Sequence, residues 1–575
     1  MGICMPHSDK QTRRKVLRTA GASAGTGILV GLAGCSDDSG DGGEGSDGSD
    51  GGDGSNEEAT VQPGEQVREI ELITTTSDYD PVRFEFGQMI AENWRELGVS
   101  VQENPMAWNQ IVDQALVGQE FDSYTLNWAG RAERIDPNHF CYGVFHSSQA
   151  EEGKYNFVNY TNDEYDQFAE QQQQVYDIEE RKEAVYKCQE IAMRDQPHTP
   201  IANKQQVMPY NSNRFENPKP MMGEGLMSFW NLIGVEPKEG VSTVRLGYPS
   251  DVNNMNPLNV QATHDAQTMR LIYDRLFRIS RDGTPKKWAA EKMEQVDDTT
   301  FDITIRSGMT WHDGEDLTIE DVKFTFDYIE DHSPKLSGRA EPIDSTEIVD
   351  DRTLRFNLTE PYAPFVANTL GTIYLLPEHI WKEVPENVDV EQATDWPNSE
   401  AIGSGPFKFE SWRREEQLTL VANDDHFDPP NVDELLKIPG SSMQTLVRQI
   451  ENEQIDMIGW VPQPNTQDRL ESMDYLSLSI KDSHGFYHIN YKCNEAPFND
   501  VAFRRALAYA IPKQDIVDTL LNGRGTVAQS QIAEVNTTWH NPDTESFNFD
   551  LDAARAELED AGYTWDDERN LLYPE

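Results

Sequence analysis

The order of apolar and polar positions changes character several times along the chain. Ile70-Glu71-Leu72-Ile73-Thr74-Thr75 alternates as a half-buried strand. From Pro81 to Leu97 the apolar residues Phe84, Phe86, Ile90, Trp94 and Leu97 fall at helical spacing. Gly98 then ends that helix, and Val99-Ser100-Val101 starts another strand. This strand–helix–strand order predicts an α/β body with partly parallel sheets. Residues 163–194 read as helix, broken by Pro197-His198-Thr199-Pro200 before a short strand Pro200-Ile201-Ala202. A second body begins near Thr243 with Val244-Arg245-Leu246-Gly247. In it, residues 300–306 alternate as a strand and Trp311-His312-Asp313-Gly314 forms a turn. Thr318 to Tyr328 follows as a helix that Thr318 can cap. Gly403-Ser404-Gly405-Pro406-Phe407 is a tight turn opening another strand. Residues 500–521 and 549–561 read as helices, the latter stopped by Gly562.

The segment ahead of these elements has a different texture. Thr12-Arg13-Arg14-Lys15-Val16-Leu17-Arg18 resembles a twin-arginine export signal, and Ala20 to Ala33 is apolar but about half the length of a spanning helix. It ends in Leu32-Ala33-Gly34-Cys35, which resembles a lipobox in which Cys35 becomes the lipidated N-terminus. The leader's Gly21-Ala22-Ser23-Ala24-Gly25 has the spelling of a hydrolase elbow without its strand–turn–helix setting. Residues 36–55, dominated by Asp, Gly and Ser, cannot bury enough surface to fold, and the tail to about residue 67 continues them. They are expected to be a disordered tether with an r.m.s. reach on the order of 30 Å.

Charge narrows the function classes. The 101 acidic residues outnumber the 48 basic ones, for a net charge of −53. Such a surface repels polyphosphates and argues against nucleic-acid binding. It suits a protein kept soluble where salt screens its self-repulsion, as in a halophilic archaeon. The five cysteines, at 4, 35, 141, 188 and 493, show no CxxC spacing, so no zinc or redox site is expected.

The stretch Trp311-His312-Asp313-Gly314-Glu315-Asp316-Leu317-Thr318-Ile319-Glu320-Asp321-Val322 resembles the F-H-D-G-x-P-L-T-A-x-D-V signature of family-5 solute-binding proteins. Asp274-Arg275-Leu276-Phe277, the glycine turn at 403–407, residues 497–511 and the helix from Asp550 to Tyr563 match the same family. Elements that follow this last helix in the family stand upstream here, at 70–76, 94–101 and from Phe121-Asp122 to Asp136-Pro137. The resemblance therefore implies a two-lobed periplasmic-binding-protein type II α/β fold, with an extra subdomain and a circularly permuted order. It divides the chain into a signal with lipobox (1–35), the tether (36–67) and the first part of a C-terminal-type lobe (68–205). Next come the return and start of an N-terminal-type lobe (206–286), the extra subdomain (287–400), the rest of that lobe (401–490) and the remainder of the first (491–575).

The resemblance further implies an extracellular ABC-importer receptor that captures a peptide-like or anionic solute by hinge closure and hands it to a permease. It would be a monomer, lipid-anchored at the outer face of the cytoplasmic membrane, with no cofactor. A ligand-sensing receptor subunit is the alternative. A secreted hydrolase is disfavoured because HExxH is absent and the histidines are scattered. In peptide binders of the family an Asp three residues after a Gly-Trp tryptophan pairs with the ligand ammonium. Here Trp128 is followed by Arg131, whose guanidinium suits carboxylate or phosphate instead. Arg131 could alternatively pair with Asp136 or Glu133, and Glu133 could serve an amine. Of Tyr487 and His488 only one should face the cleft. Trp460 is a stacking wall or a core aromatic, and Met255 is a further candidate at the end of a cleft strand. Sequons at Asn159, Asn357 and Asn536 permit glycosylation.

Overall fold

The computed structural model describes residues 62–575, apart from residues 152, 261 and 389. The export signal, the lipobox at Cys35 and the tether as far as residue 61 lie outside the described residues.

One eleven-stranded mixed sheet runs through the molecule. Its order is Phe407–Arg413, Gln417–Ala422, Glu434–Pro439, Thr243–Tyr248, Met457–Ile458, His198–Asn211, Leu476–Tyr491, Ser123–Trp128, Ile70–Thr75 and Val101–Met106. Gly525–Val527 pairs off this path on His198–Asn211. Ile70–Thr75 lies parallel to both of its neighbours, as the strand–helix–strand pattern requires. The two long strands, His198–Asn211 and Leu476–Tyr491, run antiparallel from one lobe into the other. At one end Phe486 to Tyr491 pairs with Ser123–Trp128, and at the other Tyr210 pairs with Met457.

The first lobe draws its core from both ends of the described chain. Phe86, Ile90 and Trp94 of the helix Pro81–Glu96 pack with Phe503 and Leu507 of Val501–Tyr509 and Leu558 of Leu551–Asp560. The Trp94 indole N–H donates to the Leu507 carbonyl at 3.2 Å. Val67 N–H donates to Leu571 O at 2.8 Å, and Tyr573 N–H to Glu65 O at 2.9 Å, so segments 65–67 and 571–573 lie side by side. A second core in this lobe gathers Trp128, Phe140, Tyr165 and Cys188.

The second lobe is built around Leu246, Met269, Trp288, Phe407 and Leu435. Beside it a four-stranded antiparallel sheet has the order Ala290–Gln295, Thr300–Ile305, Thr353–Leu358, Ile343–Asp350. Phe301, Ile303 and Ile305 are buried on its inner face together with Val322, Phe326 and Ile329 of the helix Ile319–His332. Among the described residues no helix is long and apolar enough to cross a membrane.

Several local expectations shift. The helical run at 163–194 is two helices, Asp163–Gln174 and Ile178–Asp195, because Val175 is extended and Asp177 caps the second by accepting from the Glu179 and Glu180 amides. The helix expected over 500–521 stops at Tyr509, with only short helical turns beyond Pro512. At Thr318 the capping runs the other way: the Asp321 carboxylate accepts from the Thr318 N–H and hydroxyl at 2.9 and 3.1 Å. The glycine turn passes against the Ile272 carbonyl, leaving no room for a side chain at Gly403. Asn536 is 6% exposed and its amide donates to Ile135 O at 2.9 Å, so this sequon is closed to glycosylation in the folded chain.

Candidate functional site

A cavity of about 1610 Å³ lies where the two lobes and the two long strands meet. Three glycines shape one of its walls. A Cβ on Gly130 would lie 2.5 Å from Ser483 Oγ and 2.6 Å from the Gly223 Cα. Gly223 itself has a positive φ of 75°, and Gly485 also presses on the backbone at 128–130. This close approach turns the chain sharply after the strand Ser123–Trp128 and presents the 131–134 turn to the cavity.

Of the eight residues proposed from sequence, Trp128, Arg131, Glu133, Tyr487 and Trp460 line the cavity. Arg131 pairs with neither Asp136 nor Glu133. One of its terminal nitrogens donates to Thr263 Oγ1 at 2.8 Å, and its Nε is buried without a partner. Trp460 joins both alternatives, lining the cavity while packing on the core around Leu446 and Ile458. Three residues stand elsewhere. Asp136 is buried, and Arg181, carried by the helix Ile178–Asp195, grips its two oxygens at 2.7 and 3.0 Å. His488 is 0% exposed on the strand face opposite Tyr487, stacked on Trp128 with ring centroids 6.0 Å apart. Burial, then the charges of His198 and Arg83, hold its pKa well below the usual histidine value, so its ring is a neutral core group. Met255 is fully buried in the core of the second lobe.

The cavity holds charged groups that motif reading did not single out. Arg270 and Arg275, from the second lobe, reach across to Glu133 of the first. Arg270 donates to both Glu133 oxygens at 2.6 and 2.8 Å and to Glu224 at 2.5 Å, and Arg275 meets Glu133 at 3.4 Å. Burial opposes the charge on Glu133, but Arg270 and then Arg275 outweigh it and hold its pKa far below the carboxylate range. At another point Tyr487 donates its hydroxyl to Asp80 at 3.2 Å and accepts from Lys204 at 3.3 Å. Beside it, Arg83 stacks over Tyr79 and Trp108 at 5.7 and 5.4 Å. Arg134 lies over the Trp128 ring at 4.8 Å and donates to Ala129 O at 2.9 Å. Burial, followed by the charge of Arg131, brings its pKa down to about 9. The sequence does hold one trace of these residues, since Arg275 sits inside the Asp274-Arg275-Leu276-Phe277 motif.

The lining is cationic in an anionic molecule. It includes nine lysines and arginines against five acids, whereas the whole chain has 48 against 101. Among the described residues no three His, Cys, Asp or Glu side chains converge as a metal site.

Two α/β lobes joined by long shared strands, with a charged cavity between them, define a cleft-type ligand-binding protein. The profile of the bacterial extracellular solute-binding proteins, family 5 (middle region), matches residues 284–574, and the chain belongs to that family. It is 28% identical over 339 residues to the oligopeptide-binding protein AppA of Bacillus subtilis (strain 168), covering 57% of this chain and 60% of that protein. It is 27% identical over 331 residues to the dipeptide-binding protein of Escherichia coli (strain K12), covering 52% and 59%. The chain thus spans about three-fifths of the length of these relatives. Among solved structures, AppA from Bacillus subtilis in complex with a nonapeptide aligns at 22% identity and a TM-score of 0.45, over 58% of this chain and 66% of that one.

Proposed function

We propose that this chain is the solute-capturing component of an ABC importer. A solute enters between the open lobes, the lobes close about the long strands, and the closed form docks on a permease. The observation that carries the reading is the cavity of about 1610 Å³ walled by both lobes and cationic in a chain of net charge −53. A ligand can drive closure only by binding the closed state better, and a site with contacts on both lobes supplies that difference. A peptide-like solute suits the family, and Arg131 favours an anionic group on it. No catalytic role is assigned.

The same reading places the chain outside the cell as a monomer, exported through its twin-arginine signal and tethered by a lipid on Cys35. It takes the acidic surface as adaptation to high salt. It also takes the chain as a circular permutant of the family. The partial match to relatives supports this, since a linear alignment of a permuted chain recovers one block only. So does the pairing of segments 65–67 and 571–573, which lets the two meet in the fold. A chain joined across those segments and opened at the exposed turn containing Gly240 should fold with an unchanged Tm; failure to fold would sink the permutation.

Native mass spectrometry of protein purified in molar KCl tests solute capture, and small-angle scattering reads lobe closure on rebinding. A protein that retains no solute and whose radius of gyration no peptide mixture changes would defeat this reading.

A further inference from the structure

Among the described residues four guanidinium groups of the cavity, those of Arg83, Arg131, Arg134 and Arg339, make no ion pair, and the last three belong to one end of it. Arg131 and Arg134 come from the turn after the strand Ser123–Trp128, and Arg339 from the helix Pro334–Ala340 on the second-lobe side. All three line the same cavity. Among the described residues none has a carboxylate oxygen within 4.0 Å. The nearby acids are already committed: Glu133 and Glu224 are held by Arg270 and Arg275, two charges against two. Glu341 lines the cavity without reaching ion-pair distance of Arg339. The three cations converge, since the charges of Arg134, Arg131 and Arg339 all bear on His139, and Tyr155 lies within reach of all three.

Arg134 is buried, Arg131 half-buried and Arg339 exposed at the cavity wall. A shielded cation without a counter-ion is expensive, and the expense is tolerated where a ligand supplies the missing charge. Polar atoms around them point the same way. Arg131 Nε and Trp128 Nε1 are obligate donors, buried at the cavity wall with no acceptor, and His139 Nε2 is likewise unpartnered. Such a site lacks acceptors and negative charge.

We propose that Arg131 and Arg134 on one side, and Arg339 on the other, clamp a solute carrying at least two anionic groups, carboxylate or phosphate, with Trp128 as an added donor. This rests on the solute-capture reading and names its substrate class. A singly charged or neutral peptide would leave the cations unmatched. A polyanion would neutralise their mutual repulsion most fully when the lobes are closed, which makes it a closing ligand.

The test is calorimetry in molar KCl with four probes: tri-glutamate, citrate, pyrophosphate and the neutral tri-alanine amide. The expected result is binding of a carboxylate or phosphate polyanion, weakened at least tenfold, about 1.4 kcal/mol, by Arg131→Gln and by Arg339→Gln. Arg413→Gln, at an exposed salt bridge, should change nothing. Binding of tri-glutamate or citrate against pyrophosphate decides between carboxylate and phosphate. Arg339 makes no side-chain hydrogen bond among the described residues, so Arg339→Gln should leave the ligand-free Tm unchanged or raise it; a lowered Tm would mark a structural cation and overturn the clamp. Capture of tri-alanine amide, undiminished by both substitutions and with no polyanion bound, would overturn the clamp while leaving solute capture standing. Failure of every probe and of a peptide mixture to bind or close the lobes would overturn both.

Discussion

Neutralising one carboxylate at the lobe junction should open the molecule without unfolding it. Glu133 belongs to the first lobe, and its oxygens take two hydrogen bonds from Arg270 and one from Arg275, both of the second. The side chains are 18% exposed for Glu133 and 7% for each arginine, so solvent screens the pairs little. In Glu133→Gln, Arg275 loses the one carboxylate it meets among the described residues and Arg270 keeps Glu224. Breaking a buried ion pair costs about 3–5 kcal/mol. The lower end applies, because Glu224 remains and glutamine still accepts a hydrogen bond. About 3 kcal/mol falls on contacts between lobes, so the closed population should drop roughly a hundredfold relative to the open one. Energy transfer between dyes on the two lobes would read the opening, and thermal denaturation should move little. A pH series sharpens the test. Because Glu133 has a depressed pKa, its contribution is fully present above the ordinary carboxylate value of about 4.3 and is lost as pH falls toward the folded value. Closure should therefore be flat near neutrality and weaken in acid, and Glu133→Gln should remove that acid dependence. Unchanged closure with a markedly lowered Tm would refute the argument, because the network would then be holding one lobe together.

Other outcomes follow from the same contacts. Asp136→Asn should cost about 3 kcal/mol of stability by unpairing Arg181 while leaving ligand affinity unchanged; calorimetry on the folded variant checks this, and a selective affinity loss would return Asp136 to the site. Gly130→Ala should destabilise by about 1–3 kcal/mol, because its Cβ would press on Gly223 and Ser483, and should weaken binding through a displaced Arg131. Tm should rise steeply with KCl as salt screens the net charge of −53, and a Tm equally high in dilute buffer would contradict the high-salt reading.

Much of the fold was legible because its elements are locally encoded. The alternation of residues 300–305 reappears in an alternating burial pattern, and helical spacing from Phe86 to Trp94 places those residues in the core. Boundaries were less legible where a short-range signal competes with a long apolar pattern, as at the Asp177 cap and Pro512. At the site, strand periodicity settled that Tyr487 and His488 face opposite ways, but not which of them faces the ligand cavity. That choice depends on which sheet face the lobe core covers. Asp136 was a candidate because it follows the cavity-lining Arg131 in the chain, and only the packing of the helix Ile178–Asp195 brings Arg181 to it.

The sequence by itself determined the class of the molecule: its element order, its acidic surface and the motifs at 311–322, 403–407 and 497–511 that carry the family resemblance. Tertiary structure alone decided which charges meet. Arg270, Arg275 and Arg339 lie far along the chain from Glu133 and Arg131, and apart from the motif around Arg275 nothing local distinguishes them from any other arginine. They come to line one cavity because the two lobes face each other, and the cationic character of the cavity is a sum over side chains that only folding brings together.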